Sequence, residues 1–569
     1  MLSKNAKEIA EKRYLQDGES WEEACIRIGN AIAINEQRPW REVFAEEIYD
    51  MNFIPGGRIL RNAGKLKQSV LNCAVLPIGD SIEEIGETIK NALILWSYGA
   101  GIGIDFSPLR EEGRPLKSKG GFSSGMVSFL EAIDGVAHTI ETGGQRRSGC
   151  LGMCRVGHPE IEKFIDAKLE DKRLSYFNLS VAVNNEFLKA VEEDKPWQLA
   201  FAGQVTKELP ARELWYKILD STIRSGDPGL INYDNLIKNN SYYFQSISTT
   251  NLCGELPLPA FGMCCLGSVV LPRMLSGRNT NWKKLESTIR SAVRFLDNIL
   301  DINFYPIPET ERITKESRRI GLGVMGLHDY LLAKQLRYGS EESLREIEKL
   351  FKFIRDTAYI ASADLAAEKG AFPKYSKTMY NQASYIRKLP PKLRMYIKDH
   401  AVRNCTVLSA PPTGTTSLLA EVTSGIEPMY ALAYKRRDRV SERVYIHDSL
   451  KKWLNEEHDG RKKKPEWLVD AHDLAPEDHL EVQSVVQKFV DSAASKTINC
   501  PKDTTVDQLS RLLLEYIYDL KGCTVYVEGS KGDAPLTRMT PREARDHLSE
   551  EVVMDADSLQ GCRGGQCDL

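Results

Sequence analysis

The chain has 569 residues, 42% of them hydrophobic and 27% charged, enough to bury a substantial core and too balanced in composition for general disorder. Lys plus Arg number 76 against 79 Asp plus Glu, a net charge of −3, which argues against a nucleic-acid binder working through a broad basic surface. No apolar run approaches membrane-span length, and the N-terminus (MLSKNAKEIAEKR) lacks the apolar core of a signal peptide, so a cytoplasmic globular protein is expected.

In chain order, residues 1 to about 50 read as helical, with Ile9, Tyr14, Trp21, Cys25, Ile28 and Ile32 at roughly helical spacing. Past Pro55 and Gly56-Gly57, a strand-like run from Ser69 to Pro77 precedes a helix whose start is marked by Ser81 and Glu84. Ile82, Ile85, Ile89, Leu93 and Trp96 form its stripe. A glycine-rich strand (Gly99 to Phe106), a polar loop and a helix from about Gly125 to Ile140 follow. Two long helices carry stripes at Leu285–Ile299 and Leu344–Leu365, the second closed by Gly370. The stretch from about Lys451 to Lys502 reads as charged and helical, Thr524 to Val527 as a strand, and periodicity fades from about Glu543. Strand, helix and strand at this spacing predict an α/β fold.

Twelve cysteines without a pair of CxxC motifs give little support to a structural zinc site, and most are expected to be buried thiols. The informative segment is Asn251-Leu252-Cys253-Gly254-Glu255. In an extended backbone, side chains at i, i+2 and i+4 share a side. An amide, a thiol and a carboxylate would then line one wall of a pocket, the thiol reacting and the carboxylate serving as base. Alone, the pattern is weak, and a strand with one buried cysteine explains it better.

Other segments change that balance: Leu71-Asn72-Cys73-Ala74-Val75-Leu76-Pro77, Cys264-Cys265-Leu266-Gly267-Ser268, Ser409-Ala410-Pro411-Pro412-Thr413-Gly414-Thr415-Thr416-Ser417 and Cys562-Arg563-Gly564-Gly565-Gln566-Cys567. With the first segment they stand in the order seen in the ribonucleotide reductase catalytic subunit. The chain resembles that family from Lys12-Arg13-Tyr14-Leu15 to its last cysteine. The resemblance implies a ten-stranded α/β barrel with a central finger loop, preceded by a short helical N-terminal segment. It divides the chain into a helical segment (1–65), the barrel with inserted helices (66–540) and a redox-active tail (541–569). The implied activity is reduction of ribonucleotides, expected to be diphosphates, to 2′-deoxyribonucleotides by a thiyl-radical mechanism.

By the same resemblance Cys253 is the radical residue, Glu255 the base on the 3′-hydroxyl and Asn251 its hydrogen-bonding partner. Cys73 and Cys264 match the pair that delivers two electrons, Cys265 is left to packing, and Asn72 touches substrate. Pro412, Thr413, Gly414, Thr415, Thr416 and Ser417 match the loop that holds the substrate's phosphates. Their small, hydroxyl-rich character before a helix start suits that task, although a plain helix cap would look the same. Cys562 and Cys567 match a thiol shuttle, whose tail would reach about 25–30 Å as a flexible chain. Asp80, Ser81, Arg110, Lys117, Gly144 and Arg146 match a specificity site for a deoxynucleoside triphosphate. The family's N-terminal activity-control cone is expected to be absent.

Gly321-Leu322-Gly323-Val324-Met325-Gly326 matches a dinucleotide fingerprint, but polar Thr314 to Arg319 precedes it. These glycines are read as close packing, with an NAD site the alternative.

The radical source separates the subclasses. Thr524-Val525-Tyr526-Val527 lacks the second of two adjacent tyrosines found where a metal-containing partner supplies the radical, and KGCTVYVEGS resembles the adenosylcobalamin-dependent class. No RxCGY-like C-terminal motif of the glycyl-radical class is present. Asp470-Ala471-His472 fails the DxHxxG cobalamin pattern at Ala475, so the cofactor is expected to keep its own base or none. The CxxxxC tail and Pro55-Gly56-Gly57-Arg58 depart from many cobalamin-dependent relatives. The alternative is a class I large subunit awaiting a separate metal subunit. Expected partners are a ribonucleotide, a dNTP effector, thioredoxin or glutaredoxin and a second copy of the chain, with neither membrane nor nucleic acid among them. A nucleotide-binding regulator would be expected to have lost Asn251, Cys253 or Glu255, and all three are intact. A cysteine hydrolase would need a histidine near Cys253, and no motif supplies one.

Overall fold

A computed structural model describes residues 2–116, 120–142, 146–147, 149–169, 173–437, 442–456, 463–529 and 536–548. Three helices, Lys4–Arg13, Trp21–Ile32 and Trp40–Tyr49, open the chain. The second starts at a capping box between Ser20 and Glu23 and buries Cys25, Ile28 and Ile32. The strands that matter to the site are β1 (Phe53–Pro55), β2 (Cys73–Leu76), β3 (Gly101–Asp105), β4 (Cys150–Arg155), β5 (Phe177–Val183), β6 (Gly229–Asn232), β7 (Thr249–Thr250), β8 (Pro257–Leu258), β9 (Leu266–Val270), β10 (Gly321–Met325), β11 (Ala433–Arg437), β12 (Glu442–Ile446), β13 (Thr497–Cys500), β14 (Gly522–Val527) and β15 (Leu536–Arg538).

Seven strands form one mixed sheet in the order β13-β14-β6-β5-β4-β3-β2, parallel throughout except for the antiparallel β6–β14 pair. A second sheet holds β1, β9 and β10, with β9 and β10 parallel. Helices cover these strands, so β6, β9 and β10 are buried at every position, as expected of strands enclosed on both faces. The helix Trp282–Ile302 packs Leu285, Ile289, Leu296 and Ile299 inward, and Glu341–Lys369 runs from a Ser340 cap to Gly370.

The fold is α/β, but the named strands do not make one continuous ten-stranded ring. Between the two sheets run short hydrogen-bonded bridges. Val75 N–H donates to Gly262 O at 3.0 Å and Cys264 N–H to Cys73 O at 2.9 Å. On the other side Leu322 N–H donates to Val407 O at 2.8 Å, and Ala410 N–H to Ala493 O at 3.1 Å.

A smaller lobe has its own core of Leu432, Leu450, Leu454, Leu468 and Met539, beside the antiparallel sheet β12-β11-β15. One reading needs correction here. The Lys451–Lys502 stretch is not uniformly helical: it contains a helix at Pro476–Gln487 but ends in β13, whose Ile498 and Cys500 are buried. Of the dinucleotide-like glycines, Gly321 and Gly323 lie inside β10, closely packed against Leu266, Ser409 and Pro411 as expected, while Gly326 at φ +75° precedes the helix Leu327–Lys334. Among the described residues no helix is long and apolar enough to cross a membrane.

A Cβ on Gly323 would sit 2.3 Å from Pro411 Cδ and 2.8 Å from Ser409 O, an overlap with backbone that side-chain adjustment does not relieve. Gly323→Ala should therefore cost about 1–3 kcal/mol of stability, read as a lowered midpoint in thermal or urea unfolding.

Candidate active site

Residues Asn251–Leu256 form the tip of a β-hairpin whose arms are β7 and β8. Gly254 N–H donates to Asn251 O at 3.1 Å, Asn251 N–H to Leu256 O at 3.1 Å, and Leu256 N–H to the Asn251 Oδ1 at 2.9 Å. Gly254 takes φ +82°, which glycine adopts without strain. The extended-strand reading of Asn251–Glu255 is thus wrong. A closed turn brings the amide and the carboxylate together, and the same turn leaves Cys253 exposed where a sequestered sulfur was expected.

Asn251 and Glu255 are both buried. Asn251 Nδ2 donates to Glu255 Oε1 at 2.7 Å, while Glu255 Oε2 is buried without a hydrogen-bond partner. Burial pushes the Glu255 carboxyl up to about 7, with the Asn251 hydrogen bond pulling the other way. Its backbone is fixed independently, since Glu255 O accepts from Ala493 N–H at 2.8 Å and from the Ser409 hydroxyl at 3.1 Å.

The hairpin lies on a part of the sheet stripped of side chains. A Cβ on Gly103 of β3 would come 2.0 Å from Thr250 O, and one on Gly101 would meet both Leu252 and the Cys73 sulfur within 3.4 Å. Cys73 and Cys264 stand side by side as reduced thiols, joined by the backbone bond above. The Cys264 thiol is held far above its usual range, first by burial and then by its hydrogen bond with Cys73, with a further push from Glu255. Cys265 faces the opposite way, its thiol donating to Leu296 O at 3.4 Å within the main core. Asn72 lies at the same edge: its backbone O accepts from Gly101 N–H and its Oδ1 from Arg58 N–H at 3.3 Å. The Arg58 guanidinium donates to Gly99 O at 2.6 Å.

The loop Pro412–Ser417 leads into a short helix, Thr415–Ala420. Thr413 and Gly414 both have positive φ, and Thr413 Oγ1 accepts from Gly425 N–H at 3.1 Å. Ser417 donates to Gly414 O at 2.7 Å. This loop borders a cleft of about 1870 Å³ between the first helix, the smaller lobe and the ends of β13 and β14. Thr415, Leu418, Tyr430, Tyr434, Tyr445, His472 and Tyr526 line it, with Tyr434 and Tyr445 stacked at 5.1 Å and Tyr430 edge-on to His472 at 4.9 Å. The cleft was missed in the sequence, since neither Ala433–Arg437 (AYKRR) nor Glu442–Ile446 (ERVYI) shows the strict alternation that marks a half-buried strand.

The remaining expected residues are separate from this site. Asp80 and Arg110 are bound to each other, Nε to Oδ2 at 2.8 Å and Arg110 N–H to Oδ1 at 3.0 Å. Ser81 caps the helix Ile82–Ser97. The backbone of Arg146 pairs with Thr142, while its side chain, Lys117, Gly144, Cys562 and Cys567 lie outside the described residues.

Comparison with known proteins gives two family matches. Residues 71–526 match "Ribonucleotide reductase, barrel domain" and residues 1–68 "Ribonucleotide reductase, all-alpha domain". The chain is 35% identical over 607 residues to the vitamin B12-dependent ribonucleoside-diphosphate reductase of Mycobacterium tuberculosis (strain CDC 1551 / Oshkosh), covering 100% of this chain and 84% of that protein. It is 33% identical over 563 residues to the protein of the same name from Thermoplasma acidophilum, covering 92% and 71%. Likeness to the ribonucleoside-diphosphate reductase subunit alpha of Chlamydia trachomatis serovar D is 26% over 553 residues, with 53% of that protein spanned.

Because Glu255 titrates near 7 in the fold against a reference value of 4.5, the unfolded chain holds fewer protons between those values. Its stability cost is absent below pH 4.5, grows as pH rises and reaches roughly 3 kcal/mol above pH 7. Glu255→Gln should therefore unfold at a higher temperature than wild type at pH 8, with the gap closing toward pH 5.

Proposed function

The chain belongs to the ribonucleotide reductase large-chain family, and from that premise we propose that it converts ribonucleoside diphosphates to 2′-deoxyribonucleotides with adenosylcobalamin as radical source. The observation that carries the reading is a hairpin tip with an exposed thiol and a buried amide–carboxylate pair, beside the Cys73–Cys264 thiol pair. As an enzyme of this family it takes a nucleotide and consumes a reductant.

A Cys253 thiyl removes the 3′-hydrogen from the ribose. Glu255 accepts the 3′-hydroxyl proton on Oε2, the oxygen left unpaired, while Asn251 holds Oε1. Cys73 and Cys264 give up two hydrogens and become a disulfide as the 2′-hydroxyl leaves as water. The 3′-hydrogen then returns from Cys253. Burial around Glu255 suits a base needed near neutral pH. Pro412–Ser417 and Asn72 hold the nucleotide, and Asp80, Ser81, Arg110, Lys117, Gly144 and Arg146 take a dNTP effector. Since Asp80 and Arg110 are spent on each other, effector binding would have to open that pair. Cys562 and Cys567 re-reduce the dithiol and are themselves reduced by thioredoxin or glutaredoxin. The assembly is a homodimer, and the functional units are residues 1–65, 66–540 and 541–569. The bridges at Gly262–Cys264, Val407–Ala410 and Ala493 support closure of the two sheets into a ten-stranded barrel, with the β7–β8 hairpin as its finger.

The cofactor fits the cleft beside the phosphate loop. Its volume exceeds the roughly 300–1,000 Å³ of sites for drug-sized ligands, and its wall carries tyrosine faces together with charged and polar side chains. Tyr430, Tyr434, Tyr445 and Tyr526 would hold the macrocycle. When bound, adenosylcobalamin supplies the unpaired electron. His447 has both ring nitrogens engaged, Nδ1 by Ser449 N–H and Nε2 facing Asp329 Oδ1 at 3.3 Å. Asp470 is occupied by Leu432 N–H, His472 N–H and Arg538 rather than by an imidazole ring, in keeping with a cofactor that brings its own base.

Incubating the single chain with CDP, dithiothreitol, adenosylcobalamin and a dNTP should yield deoxycytidine diphosphate without a second protein. Cys253→Ser should abolish the product. Turnover should rise with pH through about 7 as Glu255 ionises, and this limb should disappear in Glu255→Gln. Product formed only after a metal-containing subunit is added would select the class I alternative.

A further inference from the structure

The hairpin tip meets the sheet through Leu252. Its Cδ2 and Cβ lie 3.3 and 3.4 Å from the point a Cβ on Gly101 would occupy, and the Cys73 Sγ lies 3.4 Å from that same point. On the neighbouring chain segment, Leu252 Cδ2 would be 2.9 Å from a Cβ on Gly149. Gly149 O accepts from Ile102 N–H at 3.0 Å, so Gly101 at the start of β3 and Gly149 just before β4 lie side by side and form a seat for one leucine side chain. Cys253, the next residue, is exposed, Cys73 is half-buried and Cys264 is buried.

Cys73 and Cys264 are in contact, and Cys253 follows the leucine seated at the glycine that Cys73 borders; only the Cys73–Cys264 pairing is useful under the functional reading above. A Cys253–Cys73 disulfide would remove both the radical residue and half of the dithiol. Hydrogen transfer from the Cys73 thiol to a Cys253 thiyl, one S–H bond breaking as another forms, would move the radical away from the sugar. Disulfide formation requires Cβ atoms to approach about 3.5–4.5 Å, so a side chain wedged beside Cys73 can forbid it.

We propose that Leu252 is a positioning residue that keeps the Cys253 sulfur off Cys73. Seated on Gly101 and Gly149, it places a hydrocarbon rather than the reacting thiol at the glycine that the Cys73 sulfur borders, and so restricts pairing to Cys73 and Cys264. The purpose of this device rests on the proposed reaction; its geometry does not.

The test uses full-length protein carrying Cys562→Ser and Cys567→Ser, without nucleotide or cofactor, oxidised with diamide, alkylated, digested and mapped by mass spectrometry. Two thiols each lose a hydrogen to the diamide N=N bond as the S–S bond forms. The Leu252-intact protein should give the Cys73–Cys264 peptide pair with Cys253 alkylated. Leu252→Ala should shift the product to Cys253–Cys73, and Leu252→Met, which conserves volume, should keep the original pattern. Gly149→Ala, which displaces the leucine without changing it, should reproduce the mispairing and covers the case in which Leu252→Ala fails to fold. Cys73–Cys264 as the sole pair in both Leu252→Ala and Gly149→Ala would overturn the proposal, as would Cys253–Cys73 in the Leu252-intact protein. Mispairing in a chain that makes no deoxynucleotide would refute the functional reading and leave this inference standing.

Discussion

The hydrogen bond between Asn251 and Glu255 is the interaction on which the site depends. It closes the hairpin tip, occupies one carboxylate oxygen and leaves the other buried and unpaired. A buried carboxyl with no ion pair resists ionisation, which brings Glu255 to the pH range where it can exchange a proton with a bound hydroxyl. Ser409 and Ala493 grip the Glu255 carbonyl from separate segments. The carboxyl is therefore held by three parts of the chain that are distant in sequence.

Around this bond the sheet makes room by omission. Gly101 and Gly103 on β3 and Gly149 before β4 lack the side chains that would collide with the hairpin. Gly321 and Gly323 do the same for the Ser409–Pro411 segment. In each case a backbone or a short tip lies where a methyl group would otherwise project. Packing of this closeness limits how far the hairpin can shift, which suits a reaction requiring thiol, base and dithiol to meet on one small sugar.

Much of this was legible in the sequence, and the gaps have physical causes. Helices announced by caps and stripes, such as Trp282–Ile302 and Glu341–Lys369, lie within a few residues of their expected limits. The cysteine motifs named the thiols that converge, because motif order survives where local geometry does not. Spacing alone mistook the Asn251–Glu255 turn for a strand. An amide at i and a carboxylate at i+4 share a side in either geometry, and only tertiary hydrogen bonds distinguish the two. The aromatic cleft was hidden because Tyr430, Tyr434, Tyr445 and Tyr526 come from separate segments. Asp80 and Arg110 were each assigned to a ligand, and no sequence pattern signals that they bind each other.

The central claim is that the Cys253 sulfur removes hydrogen from the ribose 3′-carbon beside the Asn251–Glu255 pair. Turnover of CDP carrying deuterium at C3′ tests it most directly. A primary isotope effect, with the deuterium retained at C3′ of the product, is the result predicted; equal rates for labelled and unlabelled substrate together with loss of the label to solvent would contradict it.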